Sequence, residues 1–264
     1  TVGPNAAPTV SAITVQPPLS EQPKALATIG DSIALTVSVN DAESAASDLT
    51  YVWASNPELG TFTGTGRAVE WTAPAAVTSP RTVLITLTVV EKYYEPDASG
   101  LPIEKEHTVE QAVTLRVHDS VKEIGDMAHD FLTQFSISTV SPDYVMRNFS
   151  TACDDGEGYA EELLDVEDHR RDYTMLSYDI GEPAVTFAYG SESTACAYPG
   201  APGDACAKVF VEWNDKRNDS GEENTVTGND YVSAVYEDDR WYLCHSKFQG
   251  VSSLRFHKLF SKGQ

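Results

Sequence analysis

The sequence predicts an all-β sandwich over residues 8–118 followed by an α+β domain over residues 119–264, with a short flexible tether at residues 1–7. Three observations predict this. Apolar residues alternate with period two through the first part; helical spacing gives way to period two in the second part; and all four cysteines lie in the second part. A length of 264 residues accommodates two domains, and 41% hydrophobic residues can form their cores.

The first domain is predicted from short alternating strands separated by turn residues. Alternation at residues 33–39 places one face of a strand in the core and the other in water. No proline falls within the predicted strands, where it would remove a ladder hydrogen bond. Further strands are predicted at residues 49–53, 68–71, 82–90 and 109–117.

Motifs in these strands resemble a known class of module. The segments DLTYVW (48–53), GTF (60–62) and VEWTAP (69–74) resemble bacterial PKD-like or cadherin-like surface modules, which have immunoglobulin-like sandwich folds. The resemblance covers about residues 8–118 and implies that Trp53 fills the core between the two sheets. It also implies a spacer or an adhesive unit on an exported protein.

Some of these relatives bind Ca²⁺ at an Asp-rich turn before the Tyr-x-Trp strand. Asp41, Glu43 and Asp48 occupy the matching place and offer hard oxygen ligands. The regular D-x-D-G spacing is missing, and alanines occupy several intervening positions. The alternative is a solvated acidic turn.

The second domain opens with predicted helices. Ser141 suits a helix N-cap and Pro142 the first turn, so a short helix is expected there. A helix over residues 159–171 is expected to be acidic outside. The expected buried positions are Val121, Ile124, Ala128, Phe131, Leu132 and Phe135 in the first helix, Val145 and Phe149 in the second, and Leu163, Leu164 and Val166 in the third.

Period-two segments follow these helices, with explicit turns at residues 181–183 and 238–239 and a long polar connection at residues 214–228. Helices first and antiparallel strands afterwards favour an α+β domain in which helices pack on one face of a curved sheet. The strands are predicted at residues 173–180, 184–189, 207–213, 231–236 and 241–248.

The even number of cysteines predicts disulfides formed in an oxidising compartment. Four cysteines allow three pairings. We favour Cys196–Cys206, which closes a short Pro- and Gly-rich segment, together with Cys153–Cys244. Zinc is the alternative, although C-x-x-C spacing is missing.

The order of elements resembles the SnoaL-like, or nuclear transport factor 2-like, superfamily. The matching pieces are the opening helix, SPDYVMRNF (141–149) and VYEDDRWYL (235–243), and the resemblance covers about residues 119–250. It implies a cone-shaped sheet closed by helices. Members include isomerases, dehydratases, cyclases and proteins that only bind, so the fold does not settle the function.

Active members commonly use an Asp/His or Asp/Tyr pair in the cone to move a proton. Weak candidates for such a set are His169, Asp172, Tyr173 and His245, and no family motif matches them residue by residue. The alternatives are a solvated helix face for His169 and a satisfied histidine at His245. Tyr189 and Trp213 are expected to lie opposite one another and to line the pocket, the alternative being ordinary core.

The formal charge of −22 makes nucleic acid a poor partner and suits cationic ligands, Ca²⁺ or a salty environment, the alternative being solubility alone. No apolar run of membrane-spanning length occurs, and the uncharged start fits a tether after a removed signal or a lipid-anchored cysteine. We therefore expect an extracytoplasmic, bacterial, non-catalytic protein that binds a small molecule or a protein segment, without a cofactor. The alternatives are a SnoaL-like enzyme using the cone and a Ca²⁺-binding adhesion module.

Overall fold

A computed structural model describes residues 5–189, Cys196 and residues 203–252. It is mostly β-sheet with few helices. Two compact units divide the chain, Thr1–Asp119 and Ser120–Gln264. The predicted Pro/Gly turn at residues 197–202 and the first four residues of the predicted tether lie outside the described residues.

The first unit consists of strands only. Two four-stranded sheets, ordered β2-β4-β8-β7 and β3-β10-β9-β6, direct their apolar faces into one shared core, and β1 pairs with β5. The alternating pattern of each strand supplies the inward residues, such as Ile33 and Leu35 from one sheet and Ile85 and Leu87 from the other. The strands are β1 (Thr9–Val10), β2 (Thr14–Gln16), β3 (Leu26–Thr28), β4 (Ser32–Thr36), β5 (Val39–Asn40), β6 (Thr50–Asn56), β7 (Thr61–Thr63), β8 (Ala68–Thr72), β9 (Arg81–Pro96) and β10 (Pro102–His118).

Trp71, not Trp53, is the tryptophan at the centre of this core, which corrects the expectation from the sequence. Trp71 is fully buried, and its Nε1 donates to the carbonyl of Leu59 at 3.1 Å. Gly60 has a φ of +72°, and a Cβ there would lie 2.6 Å from the Trp71 ring. Trp53 is partly buried and packs against the same core, and its Nε1 donates to the carbonyl of Gly66 at 3.0 Å.

Strands β9 and β10 extend well beyond the predicted segments 82–90 and 109–117. Strand β6 pairs with β9 only as far as Val90, and beyond that point β9 and β10 form a two-stranded ribbon. A 2.9 Å ion pair between Lys92 and Glu104 and the stacked rings of Tyr93 and His107 join the ribbon's strands. Core periodicity ends where the ribbon leaves the core, so the apolar pattern alone could not show these extensions.

The predicted tether at residues 1–7 is hydrogen-bonded to the rest of the first unit at Asn5. Asn5 Nδ2 donates to Glu91 Oε2 at 2.8 Å, and Ser44 Oγ donates to the other carboxylate oxygen of Glu91 at 2.6 Å. Glu91 is buried, so these two bonds satisfy a carboxylate that water does not reach.

In the second unit, helices α1 and α3 pack against one antiparallel sheet, and the short helix α2 packs against these two helices. Helix α1 contacts strands β12, β13 and β15, and α3 contacts β11 and β15. Ser141 caps α2 as expected, because its side chain accepts from the backbone N–H of Tyr144. The elements are α1 (Ser120–Phe135), α2 (Pro142–Val145), α3 (Glu157–Asp172), β11 (Tyr173–Ile180), β12 (Ala184–Phe187), β13 (Ala205–Arg217), β14 (Glu223–Glu237) and β15 (Arg240–Ser252).

The sheet order is β11-β13-β14-β15, with β12 also paired to β13. Register shifts interrupt β11 between Met175 and Ser177 and the β14–β15 pair between Val232 and Ala234. Such bulges add an unpaired residue to one strand and thereby bend and twist a sheet. These two bulges are therefore the positions at which the sheet of the second unit can bend.

The prediction of a long polar connection at residues 214–228 is wrong. Strands β13 and β14 continue through most of it and pair as far as Lys216 with Glu223. Polar side chains satisfy one another here: Asn224 Nδ2 donates to the buried Asp215 at 3.2 Å, and Thr225 Oγ1 donates to Asn214 at 2.6 Å. A polar composition therefore concealed a strand pair.

Both favoured disulfides are present. Cys153 pairs with Cys244 at a Cα separation of 5.7 Å, and Cys196 pairs with Cys206 at 5.1 Å. No cysteine of the chain is left free, so no thiol remains for zinc. The Cys153–Cys244 bond ties the segment before α3 to strand β15.

Candidate functional site

Of the three residues of helix α3 expected to be buried, Val166 is buried, Leu163 is partly buried and Leu164 is exposed, and polar residues share the buried face. Glu162, Val166 and His169 are buried, whereas Leu164 is 55% exposed. Gly158 explains the orientation: a Cβ at this position would lie 2.8 Å from the carbonyl oxygen of Cys244, so the glycine face must turn toward β15. Positions spaced by three or four residues from Gly158 follow it inward.

A cavity of about 30 Å³ lies between α1, α3 and the inner face of the sheet. This volume suits roughly two water-sized groups. One wall is apolar and aromatic and the other carries carboxyls. The lining residues are Phe131, Leu132, Phe135, Glu162, Asp165, His169, Trp213, Asp230 and Ser246.

Ser246 joins two buried carboxyls in this wall. Its backbone N–H donates to Glu162 Oε1 at 2.6 Å, and its Oγ donates to Asp230 Oδ1 at 2.7 Å. Burial raises the pKa of Glu162 well above its ordinary value, and the nearby Asp230 adds to that rise. Burial also raises the pKa of Asp230 to about 6. Burial therefore favours the neutral form of Glu162, while Asp230, with a pKa of about 6, is mostly ionised at pH 7.

Asp165 lies one turn along α3 from Glu162. Burial raises its pKa to about 6, with Asp168 and Glu161 contributing through repulsion. At pH 7 this carboxyl is mostly ionised.

His169 stacks between two aromatic rings at the same cavity. Its ring centroid lies 4.8 Å from Phe135 and 5.3 Å from Tyr173. It is 7% exposed, and its Nε2 has no hydrogen-bond partner in the described part of the chain. Burial, with repulsion from Arg170, lowers the pKa of His169 to about 4. The imidazole is therefore neutral at pH 7, and its Nε2 is a buried polar atom without a partner among the described residues.

Aromatic rings continue this wall across the sheet. Phe135 lies 6.4 Å from Trp213, and Trp213 lies 5.4 Å from Phe248, each measured between ring centroids. Trp213 Cα faces Tyr178 across the β11–β13 pair. The cavity thus combines aromatic rings and hydrogen-bonding side chains in one lining.

The four residues weighed as a proton-transfer set do not come together. His169 and Tyr173 are in contact, but Asp172 pairs with Arg171 at 2.8 Å, with 44% of its side chain exposed. His245 Nε2 lies 3.2 Å from Asp154, beside Gly158 at the start of α3. Residues 158 and 169 are about 16 Å apart along a helix, so His169 and His245 belong to different places.

Tyr189 lies away from the cavity and Trp213 lines it. The Tyr189 ring is 6.1 Å from Phe187 and 6.3 Å from Trp241, next to β12 and the start of β15. The two residues therefore do not lie opposite one another, as the sequence had led us to expect. The strand β12 ends at Phe187 opposite Ala205, which places Tyr189 beyond the pairing with β13.

Sequence patterns did not predict the polar residues that line the cavity. Glu162, Asp165 and His169 are spaced by three and four residues, which is the signal of one helical face, but acids and histidine on a helix ordinarily face water. Asp230 and Ser246 carry no comparable signal, because a single polar residue in a strand does not indicate which distant helix will cover it.

In the first unit, the acidic turn is organised by internal hydrogen bonds. Asp41 Oδ1 accepts from the backbone N–H groups of Glu43 and Ser44, at 2.9 and 2.6 Å. Ser47 Oγ donates to Asp48 Oδ1 at 3.2 Å. Within the described ranges, no group of three His, Cys, Asp or Glu residues is arranged to hold a metal ion. Calcium binding by Asp41, Glu43 and Asp48 stays a prediction.

Comparison with known proteins gives little support to any assignment. No protein-family model matches the chain, and no curated protein matches it. A solved structure described as an Ntf2 like protein involved in plasmid conjugation is similar at 10% identity and a TM-score of 0.25, over 69% of this chain and 75% of that chain. A TM-score at this level carries no argument. None of the helices in the described residues is long and apolar enough to cross a membrane.

Proposed function

We propose that the second unit binds a small molecule in the cavity between α1, α3 and the sheet, without catalysing a reaction on it. The observation that carries the proposal is the unpartnered Nε2 of His169, a buried polar atom at an amphipathic cavity. A buried polar group without a partner costs free energy, and a ligand group that bonds to it recovers that cost.

The separation of the candidate residues supports binding rather than catalysis. General acid–base catalysis needs its groups within hydrogen-bond reach of the same substrate atoms. His245 and Asp172 are occupied elsewhere, by Asp154 and Arg171, and neither lines the cavity.

Two features are consistent with an exported binding protein of the kind that the sequence resemblances imply. Two helices packed on a bulged antiparallel sheet suit a SnoaL-like cone, and two sheets around one core suit an immunoglobulin-like spacer. Both disulfides suit an extracytoplasmic location.

The test is binding to the full chain and to two variants. Calorimetry with a panel of small neutral, anionic and cationic molecules should find a class that binds wild type. His169→Phe keeps the ring stack but removes the nitrogen, and it should weaken binding at least about tenfold. Leu164→Ala changes an exposed residue of the same helix and should bind like wild type. If no class of molecule binds the wild type, or if His169→Phe binds as tightly as the wild type, the proposal is refuted.

An enzyme using this cavity is the second candidate. It is favoured by one observation: a carboxyl with raised pKa, Glu162, and a neutral His169 line the same small space. Such a pair can exchange a proton with a carbonyl substrate. Exchange of α-protons for deuterium in a panel of ketones, monitored by NMR in D₂O and abolished by Glu162→Gln, would support it over simple binding.

A further inference from the structure

We propose that the sheet of the second unit binds an acidic polysaccharide on the face that points away from the helices. Lys208 and Lys247 pair with carboxylates of the polymer, and Tyr231 lies against a sugar ring. This inference goes beyond the function proposed above, because the cavity lies on the opposite face of the sheet.

Strand β13 shows which side chains belong to each face. Val209 and Val211 are fully buried, and Trp213, two residues further, lines the cavity beside α1 and α3. Successive side chains of a strand point to opposite faces, so Lys208 and Phe210 point away from the helices. Both are exposed. We call this side of β13, β14 and β15 the outer face.

The register of three neighbouring strands places two lysines on either side of one aromatic ring. Tyr231 of β14 lies opposite Lys208 of β13 and opposite Lys247 of β15. Residues directly opposite one another in antiparallel strands share a face, so these three lie on the outer face. Lys208 Nζ is 5.9 Å from the centroid of the Tyr231 ring. Two strand spacings separate the lysine backbones by about 10 Å, a distance that a disaccharide unit spans.

A second row of side chains lies one step along the same strands. Asn229 lies opposite both Phe210 and Gln249. The two amides can donate to and accept from sugar hydroxyls, and the Phe210 ring, at 45% exposure, offers apolar surface to the C–H side of a sugar. The six side chains of the two rows are therefore two cations, two amides and two aromatic rings.

The Cys196–Cys206 disulfide borders this group. Cys206 precedes Lys208 by two residues on the same strand, and Tyr231 packs against both cysteines. Contact with the disulfide restricts the tyrosine ring beside the lysine. A ring that is already positioned loses little freedom when a ligand binds to it.

The distribution of charge favours an anionic ligand at this place. Residues 240–264, which begin with β15, hold five of the chain's 18 Lys and Arg residues and none of its 40 Asp and Glu residues. Salt screens exposed charges beyond about 8–10 Å, so acids elsewhere on the chain act weakly on a ligand here. The next outward residue of β13 after Phe210 is the exposed Glu212, and its charge opposes an anion.

An acidic polysaccharide suits these groups better than nucleic acid or a membrane does. A polyuronate carries a single carboxylate on each sugar, so two lysines match a short stretch of it. Nucleic acid carries about one charge per 3.4 Å of each strand, which two lysines neutralise only in small part. Binding to a membrane surface needs a broad apolar face, whereas Phe210 is the large apolar residue exposed in the two rows.

The experiment measures the binding of uronate oligomers to the full chain by calorimetry at pH 7.5 and physiological salt. The probes are hexamers of galacturonate, mannuronate and glucuronate, each compared with its neutral methyl ester. At least one acidic hexamer should bind, and it should bind at least about tenfold more tightly than its ester.

Four variants locate the site of that hexamer. Lys208→Gln and Lys247→Gln should each weaken its binding about fivefold, and Glu212→Gln should strengthen it. Lys216→Gln removes an exposed lysine farther along the same face of β13 and should bind like the wild type.

The inference is wrong if no acidic hexamer binds, or if an ester binds as tightly as its acid. It is also wrong if Lys216→Gln weakens binding as much as Lys208→Gln, because the attraction would then be unspecific. Phosphatidylglycerol vesicles and oligothymidylate are the alternative anions. Tighter binding of either, lost in Lys208→Gln, would assign the face to a membrane or to nucleic acid instead. The cavity is tested with other ligands and with His169→Phe, so the two proposals fail independently.

Discussion

The backbone N–H of Ser246 donates to Glu162 Oε1 at 2.6 Å, and this bond joins the buried face of α3 to strand β15. A carboxyl buried between a helix and a sheet, as in Glu162, is unusual, because burial penalises its ionised form. The same serine also holds Asp230 through its hydroxyl. Glu162 and Asp230 thus both accept hydrogen bonds from Ser246. Their mutual repulsion disfavours a state in which both carboxyls are ionised.

Asp230→Asn is expected to stabilise the protein above neutral pH. The native pKa of Asp230, about 6, lies above its ordinary value of 3.8, so the native state loses stability as pH rises between these values. Removing the charge should raise the free energy of unfolding at pH 7.5 by up to about 3 kcal/mol. Urea unfolding at pH 7.5 and 4.5 measures the difference, which should shrink at the lower pH. Glu223→Gln, at an exposed site on the same strand, is the control, and a less stable Asp230→Asn at pH 7.5 would contradict the prediction.

His169 is expected to titrate far below a normal histidine. Its native pKa of about 4 lies below the ordinary 6.5, so the native state is favoured above pH 6.5 and loses that advantage as pH falls toward 4. The Cε1 proton signal of His169, assigned with His169→Phe, should show its NMR midpoint near pH 4. A midpoint near 6.5 would mean that the ring is solvated.

Trp71 is expected to matter more to the first unit than Trp53. Trp71→Ala removes a fully buried ring and should cost about 3–5 kcal/mol of unfolding free energy. Trp53→Ala, at a partly exposed ring, should cost less than half of that. Calorimetric melting of the full chain compares the two, and Trp71→Phe serves where Trp71→Ala does not fold. A larger loss of unfolding free energy for Trp53→Ala than for Trp71→Ala would mean that Trp53 is the main core tryptophan.

Loss of the Cys153–Cys244 disulfide is expected to destabilise the second unit more than loss of Cys196–Cys206. The first bond joins residues 91 apart in sequence and the second residues 10 apart, and closing the longer loop removes more entropy from the unfolded chain. Replacing both cysteines of the longer loop by alanine should cost about 4.6 kcal/mol, against about 2.7 kcal/mol for the shorter loop. Chemical denaturation of each double variant, after mass mapping of the unreduced wild type, gives the comparison. Equal costs would count against the loop-entropy argument.

Much of the secondary structure followed from local patterns. The apolar spacing around Ile124 and Phe131 predicted α1, and the Ser141–Pro142 pair predicted the start of α2, because spacing and capping depend only on neighbouring residues. The disulfide pairing also followed, from the short Pro/Gly segment between Cys196 and Cys206. Where polar residues formed regular structure, as at Asp215 and Asn224 in the β13–β14 pair, the same patterns failed.

The candidate site could not be read in the same way. His169 and Trp213 were singled out as residue types capable of chemistry, but the sequence favoured His245 and Tyr189 equally. Helix α3 was expected to bury its leucines, whereas contact between Gly158 and Cys244 turned its acids inward.

By itself, the sequence predicted the helices and the apolar strands, the pairing of the cysteines as disulfides and the strong negative charge, since each of these depends on composition or on residues close together in the chain. Only the tertiary structure decided that Glu162, Asp230 and His169 share one cavity while His245 lies elsewhere. The physical reason is that burial and desolvation belong to a packed environment: the same carboxyl or imidazole has an ordinary pKa in water and a shifted one only where distant strands and a helix exclude solvent from it.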